Sequence, residues 1–398
     1  MAVALREGRM LDPALEARTP ESQRSWLDAR LREVHRIGLN ELTSAPITRK
    51  DALGSMQSAN PPFAGLLAGP VARLRRMFAS PGPTYVPQGG AIDYWRFGMA
   101  FTACGIRKGD VVVNTLSYHL TPGGFMLDSG LRSLGCVVIP AGTGQTDLQA
   151  KVASVLHATG YAGTPSFLRT LILRARELNY PLHFEVAFAT AEMLPESLRS
   201  ELESFGIRVL QGYATADLGV LAYECREKNG MHLQPECLVE ILDLESGKAA
   251  EPGQPGQVVG TTFDADYPLL RFATGDISAL STETGPCPCG RTAPKLKGLL
   301  GRVGDAIKVK GMFVRGSQMD EVVKRFPAVA RFQAVVTREE HQDHLLYLVE
   351  LQPGATVDTA ALAEALRDTV KVRGEVRVAE AGAIPPGASR IDDRRVWK

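Results

Sequence analysis

Short apolar, β-branched runs alternate with amphipathic stretches over residues 92–211. Val111–Asn114, Val137–Ile139, Val186–Ala189 and Val209–Gln211 read as strands, with a further short one near Ala162. Between them, Ile92–Cys104, Met126–Leu134, Thr146–Thr159, Phe167–Leu178 and Glu196–Phe205 carry apolar positions at helical spacing. Strands and helices alternating in this way predict βαβ units and a parallel sheet. After Asp217 the texture changes. Leu238–Leu242, Gly256–Thr262 and Leu269–Phe272 are strand-like, and turn clusters such as GKAAEPGQPGQ separate them, so this half reads as antiparallel and barrel-like.

Ahead of the alternating region, residues 1–60 read as helical. Trp26, Leu27, Leu31 and Val34 mark one face of an amphipathic helix over Ser22–Val34, and Val71–Val86 reads as a loop bearing glycine and prolines. From about Gly301 a smaller unit begins, with helices at Ser317–Phe326 and Thr359–Val370 and strands at Arg331–Thr337, Leu345–Leu351 and Glu375–Val378. The expected fold is α/β. A large N-terminal domain (1–301) holds parallel sheets flanked by helices and the barrel-like part, and a small, mobile α+β C-terminal domain (302–398) follows.

Composition changes this picture little. A chain of 398 residues exceeds one ordinary core, which agrees with two domains. Its formal charge of +1 predicts no broad attraction to nucleic acid or membrane. The first residues carry acids and a proline where a leader would need an apolar run, and no stretch approaches a membrane span, so a cytoplasmic protein is expected. Six cysteines are too sparse for a disulfide scaffold.

Their clustering suggests a metal. Cys225 and His232 are followed far downstream by Cys287-Pro-Cys289-Gly290, and three thiolates with one imidazole suit tetrahedral zinc. Four filled positions leave none for water, so such a metal would be structural. The bland alternative is four unrelated side chains, reduced and partly buried. The run Ala79-Ser-Pro-Gly-Pro-Thr84 reads by itself more readily as a surface turn than as a phosphate cradle, for which one glycine and no lysine are a weak signal. Gln211-Gly-Tyr-Ala-Thr-Ala-Asp217 follows a predicted strand, where parallel sheets expose ligand-binding loops. Thr274-Gly-Asp276 and Gly301-Arg-Val-Gly-Asp305 place an acid after glycine, which suits ribose hydroxyls and suits turns as well. No nucleophilic triad or Walker loop emerges. Taken by themselves these residues stop at an α/β enzyme with a candidate zinc site.

The order of segments adds more. Residues 117–149, 191–209, YATADLG, YEC, MHLQPE, EILDLESG, LLRFATGDIS and GPCPCGRT together resemble the phenylacetate–CoA ligase branch of the adenylate-forming enzymes, over about residues 15–395. The resemblance implies that a carboxylate attacks ATP to give an acyl adenylate, from which coenzyme A displaces AMP. It implies nucleotide contacts from Ser80, Gly82, Thr84, Thr190, Ala191, Glu192, Gln211, Gly212, Tyr213, Asp276 and Arg302. Asp217 would stand where the family puts its magnesium-binding acid, with Arg302 near phosphate as the second catalytic group. Tyr118, Phe125, Gly142 and Ala214 would line the acyl pocket, and Asp305 would lie at a hinge. Cys225, His232, Cys287 and Cys289 match positions where family members hold a structural metal. Implied ligands are structural Zn²⁺, ATP with Mg²⁺, and coenzyme A, and a homodimer would fit the family.

The chain also departs from the family. Where the phosphate loop reads SSGTTGxP, this sequence has Ser80-Pro-Gly-Pro-Thr-Tyr-Val-Pro87, and Pro81 and Pro83 lack amide donors. The glycine and hydroxyl of Tyr-Gly-x-Ser/Thr-Glu are Ala214 and Ala216, and its acid is Asp217. No lysine occurs between Lys371 and Lys398, where the family has its catalytic one. Losing one preorganised donor costs about 10²–10³ in rate. Three readings follow. The first is a ligase acting on an aryl or related hydrophobic acid. The second is an ATP-independent acyltransferase moving an acyl group between coenzyme A and a carrier-protein thiol. The third is a non-catalytic acyl-CoA or nucleotide binder.

Overall fold

The computed structural model describes residues 13–80, 84–283, 285–303, 306–309, 312–339, 342–370 and 372–395. Two compact units divide the chain, Met1–Leu299 and Leu300–Lys398.

Five strands form the parallel part of a twelve-stranded sheet, in the order Arg208–Thr215, Val186–Ala189, Gly160–Gly163, Val111–Asn114, Val137–Pro140. Four helices connect them: Gly123–Ser133, Thr146–Val155, Pro165–Glu177 and Glu196–Glu203. Both faces are covered because successive residues of each strand point to opposite sides. Val112, Val186, Phe188 and Leu210 join one apolar cluster with Phe97, Phe101, Leu127 and Leu131. Their neighbours Val113, Ala187, Ala189 and Val209 join another with Leu168, Leu171 and Leu202.

The sheet changes character inside a single strand. Arg208–Gln211 pair in parallel with Val186–Ala189, whereas Gly212–Thr215 pair antiparallel with Tyr223–Gly219. Beyond Gly219–Glu224 the sheet continues through Met231–Leu233, Lys295–Arg302, Phe272–Leu280, Gly256–Thr261 and Leu238–Leu242, and Thr48–Arg49 pairs in parallel beside Phe272–Ala273.

Several elements differ from the sequence expectation. The helix expected from Ile92 begins at Phe97, because Arg96 is left-handed (φ 62°) and the Asp93 carboxylate accepts from the amides of Phe97 and Gly98 at 3.0 and 2.6 Å. The strand expected at Leu269–Phe272 begins only at Phe272, after Arg271 turns through φ 44°. Within the expected loop Val71–Val86, Arg76–Ser80 and Thr84–Gln88 form an antiparallel hairpin. Its side chains alternate: Phe78 and Val86 are buried while Met77 and Tyr85 are exposed. Gln57, on the helix Lys50–Ala59, clamps this hairpin by exchanging two 2.8 Å bonds with the Tyr85 backbone.

In the second unit, a four-stranded sheet runs Glu375–Val378, Gln342–Leu351, Val329–Glu339, Ile391–Asp393. Helices Gly316–Val323 and Thr359–Val370 pack on it through Met319, Val322, Leu362 and Leu366, and Ala306–Val309 with Met312–Arg315 make a separate hairpin. Among the described residues no helix is long and apolar enough to cross a membrane.

Candidate functional site

A parallel sheet presents ligands with the loops at the carboxyl ends of its strands, above all where the strand pattern switches. Here that place is Ala189–Glu192 and Gln211–Tyr213. Thr190 donates its hydroxyl to the carbonyl of Gly212 at 3.0 Å and its amide to Gly163 at 3.0 Å, so the loop stays tied to both neighbouring strands. Ala191 is left-handed (φ 66°), and Ala191 and Glu192 are exposed. A Cβ at Gly212 would lie 2.4 Å from the Phe188 ring, so only glycine fits this crossing. The Tyr213 hydroxyl donates to Asp276 Oδ2 at 2.7 Å, and the Asp276 amide donates to Thr274 Oγ1 at 3.0 Å. Residues separated by 63 positions thus meet at one edge.

Asp217 lies just beyond this strand, with its side chain 1% exposed. Lys50, first residue of the helix Lys50–Ala59, brings its ammonium to 3.0 Å from Asp217 Oδ2. Both Asp217 oxygens are buried, and Lys50 supplies the charge that offsets the carboxylate. Pairing of Thr48–Arg49 with Phe272–Ala273 sets the point from which Lys50 reaches it. Burial, reinforced by the Asp217 charge, pushes the Tyr267 phenol above its ordinary range.

The residues expected for the acyl pocket pack together in part. Tyr118 and Phe125 meet edge to face with centroids 5.1 Å apart, and Phe78 lies 5.4 Å from Phe125. Asn114 donates to the Tyr118 hydroxyl at 2.7 Å. Gly142 is left-handed (φ 64°), and a Cβ there would still stand 4.0 Å from the Tyr118 ring. Ala214 packs against the apolar cluster that holds Phe78 and Trp95. At the hairpin end Ser80 Oγ and Thr84 Oγ1 are 2.7 Å apart. Gly82 and Asp305 lie outside the described residues. Arg302 is exposed at the end of Lys295–Arg302 and belongs to the second unit.

Cys225, His232, Cys287 and Cys289 converge, with their ligand atoms all within 4.8 Å of one another. Cys225 follows the strand Gly219–Glu224, and His232 sits in Met231–Leu233, which pairs with it. Cys287 and Cys289 form a tight knuckle: Gly290 (φ 92°) donates its amide to the Cys287 carbonyl at 2.8 Å, and Cys287 donates its own to Arg291 at 2.9 Å. The Cys225 and Cys287 sulfurs are 3.8 Å apart, too far for a disulfide. A tetrahedron with ordinary zinc bond lengths needs about 3.8 Å between sulfurs and about 3.6 Å from sulfur to nitrogen. Cys289 Sγ to His232 Nε2 is 3.5 Å. His232 Nδ1 lies 3.2 Å from the Ala293 carbonyl, and donation there leaves Nε2 as the ligand atom. The Cys289 thiol is held far below its ordinary range, first by the Cys225 thiol and then by His232 and Arg291. These residues fit a tetrahedral metal.

Behind the knuckle is a charged pair that sequence reasoning missed. Arg291 and Glu16 form a 2.6 Å ion pair with side chains 1% and 0% exposed, and Tyr223 donates to Glu16 at 3.1 Å. Lys50 was missed as well. Its signal was faint but real, since a cation at a helix N-terminus opposes the helix dipole and calls for an acidic partner.

A doubly covered parallel sheet, a mixed switch strand and a separate α+β unit define this fold. It resembles a 2-hydroxyisobutyryl-CoA ligase solved in an open conformation with 2-HIB-AMP and CoA, at TM-score 0.78 and 21% identity over 97% of this chain and 94% of that one. No protein-family model matches the sequence. The phenylacetate–coenzyme A ligase of Thermus thermophilus is 30% identical over an alignment of 334 positions that covers 79% of this chain and 73% of that protein. That of Aromatoleum evansii is 29% identical over an alignment of 392 positions that covers 90% of this chain and 86% of that protein. The chain belongs to the phenylacetate–coenzyme A ligase family.

Proposed function

We propose that this protein joins an aryl or related hydrophobic carboxylic acid to coenzyme A through an acyl adenylate. In the first step a carboxylate oxygen bonds to the α-phosphorus of ATP and the bond to pyrophosphate breaks. In the second the coenzyme A thiolate bonds to the acyl carbon, and AMP departs with the electron pair. The observation that carries the reading is the meeting of Tyr213 with Asp276 at the strand switch, 2.7 Å apart. Asp276 would accept the ribose hydroxyls, with Tyr213 orienting its carboxylate. Thr190–Glu192 and Gln211–Gly212 would flank the adenine, and Ser80 with Thr84 would face phosphate. Tyr118 and Phe125 would stack on the acid. Magnesium, when bound, would neutralise phosphate charge beside Asp217. Lys50 offers a resident cation at the same place, which bears on a chain with no lysine between Lys371 and Lys398. The four-residue cluster would hold one structural zinc, supported by its tetrahedral spacing.

A second reading, acyl transfer between coenzyme A and a carrier-protein thiol without ATP, is raised by Pro81 and Pro83 in the sequence, since a proline has no amide donor to offer a phosphate. One experiment separates the two. Zinc-loaded protein is assayed for acid-dependent ATP–pyrophosphate exchange over a panel of aryl and branched acids, and for transfer from acyl-CoA to a carrier protein without ATP. Exchange with at least one acid is expected. Silence in exchange together with robust ATP-free transfer would replace the ligase reading by the second.

A further inference from the structure

Glu224 is not one of the residues that would touch substrate or metal, yet it stands between them. It is the last residue of the strand Gly219–Glu224, adjacent to the metal ligand Cys225, and it is buried. Arg199 forks onto it, Nη2 to Oε1 at 2.8 Å and Nη1 to Oε2 at 2.9 Å. Gln211 supplies two more bonds, Nε2 to Oε1 at 2.8 Å and the backbone amide to Oε2 at 3.0 Å. Each carboxylate oxygen therefore accepts two charge-assisted bonds and has no capacity left. Arg199 Nη1 also donates to the carbonyl of Val209 at 2.8 Å, so the same guanidinium holds the strand that Gln211 sits in.

The place of this clamp matters. Gln211 is the last residue paired in parallel and Gly212 the first paired antiparallel, so at this point a side chain takes an amide at the change of ladder. Gly212 receives the Thr190 hydroxyl, and Tyr213 aims at Asp276. A displacement at Gln211 would move all three contacts. On its other side, Glu224 pairs across the sheet with Met231, so Cys225 follows it in sequence and His232 follows its strand partner. Four ligand atoms drawn onto one ion would fix the backbone from which the Glu224 carboxylate projects.

We propose that Glu224 is a positioning residue through which occupancy of the Cys225–His232–Cys287–Cys289 cluster fixes the backbone of Gln211–Tyr213, so that metal and adenine nucleotide bind cooperatively. The inference rests on the nucleotide-site reading above. Because binding linkage is reciprocal, the factor by which metal tightens nucleotide is the factor by which nucleotide tightens metal.

The test uses the full chain, zinc-loaded, chelator-stripped and reloaded. AMP binding is measured by calorimetry, amide hydrogen exchange is followed in peptides covering 208–215, and zinc release to a colorimetric chelator is timed with and without AMP. Stripping is expected to weaken AMP binding about ten-fold and to raise exchange in 208–215 while 137–140 stays protected. AMP is expected to slow zinc release. Glu224→Gln with full zinc content should show the same weakened binding, and stripping it should add little. Arg199→Lys serves as the second variant should Glu224→Gln fail to fold. Unchanged exchange in 208–215 after stripping, or losses from stripping and from Glu224→Gln that simply add, would overturn the proposal. Failure of zinc-loaded wild type to bind AMP would instead remove the nucleotide-site reading, and the exchange measurement would still decide the coupling.

Discussion

The ammonium of Lys50 lies 3.0 Å from a carboxylate oxygen of Asp217, although 167 residues separate the two in sequence. The acid is withdrawn from water while the lysine is 31% exposed, so one partner of the pair still faces solvent.

Lys50→Gln should slow acid-dependent pyrophosphate exchange by about 10²–10³, the usual consequence of losing one preorganised charge donor. Stability should fall too, by about 1–3 kcal/mol, less than for a fully buried pair because the lysine is partly solvated. Lys50→Gln combined with Asp217→Asn should regain the thermal midpoint without regaining the rate. A double variant as active as wild type would remove Lys50 from the reaction.

Tyr213→Phe deletes the hydroxyl that holds Asp276 at 2.7 Å. A hydrogen bond to a charged group contributes about 1.5–3 kcal/mol, so KM for ATP should rise about ten- to hundred-fold with kcat much less affected. Steady-state kinetics at saturating acid check this split, and an unchanged KM for ATP would count against Asp276 as the ribose acceptor.

The metal cluster makes a stoichiometric prediction. Mass spectrometry of the native protein should find one zinc per chain, and Cys225→Ser or Cys287→Ser should lose it. Cys136→Ser should retain it, since the Cys136 thiol bonds the Arg107 carbonyl away from the cluster. Chelation should lower the thermal midpoint by at least about 5 °C, because binding energy at a structural site is folding energy. Full metal content in Cys287→Ser would refute the assignment of ligands.

Glu16 and Arg291 are both withdrawn from water, so removing one strands the other's charge. Glu16→Ala should destabilise by about 3–5 kcal/mol in chemical denaturation. Glu16→Met with Arg291→Met should recover most of the loss. A Glu16→Ala variant as stable as wild type would show that the charge finds another partner.

The sequence by itself determined several of the elements and the presence of a parallel sheet. Val111–Asn114, Val186–Ala189, Leu238–Leu242, Thr359–Val370 and Glu375–Val378 stand where the apolar pattern put them, because a period of two or of 3.6 is written locally by side-chain direction. The convergence of Cys225 and His232 with Cys287 and Cys289 could be anticipated as well, since only a few residue types ligate a soft metal. Only tertiary structure decided where the parallel sheet turns antiparallel, at Gln211–Gly212, for ladder direction depends on which strand arrives next. Likewise, the partners of Lys50, Glu16 and Glu224 could not be read from the chain. A buried charge is recognised by what surrounds it, and its surroundings come from segments up to 275 residues distant that carry no local mark of the meeting.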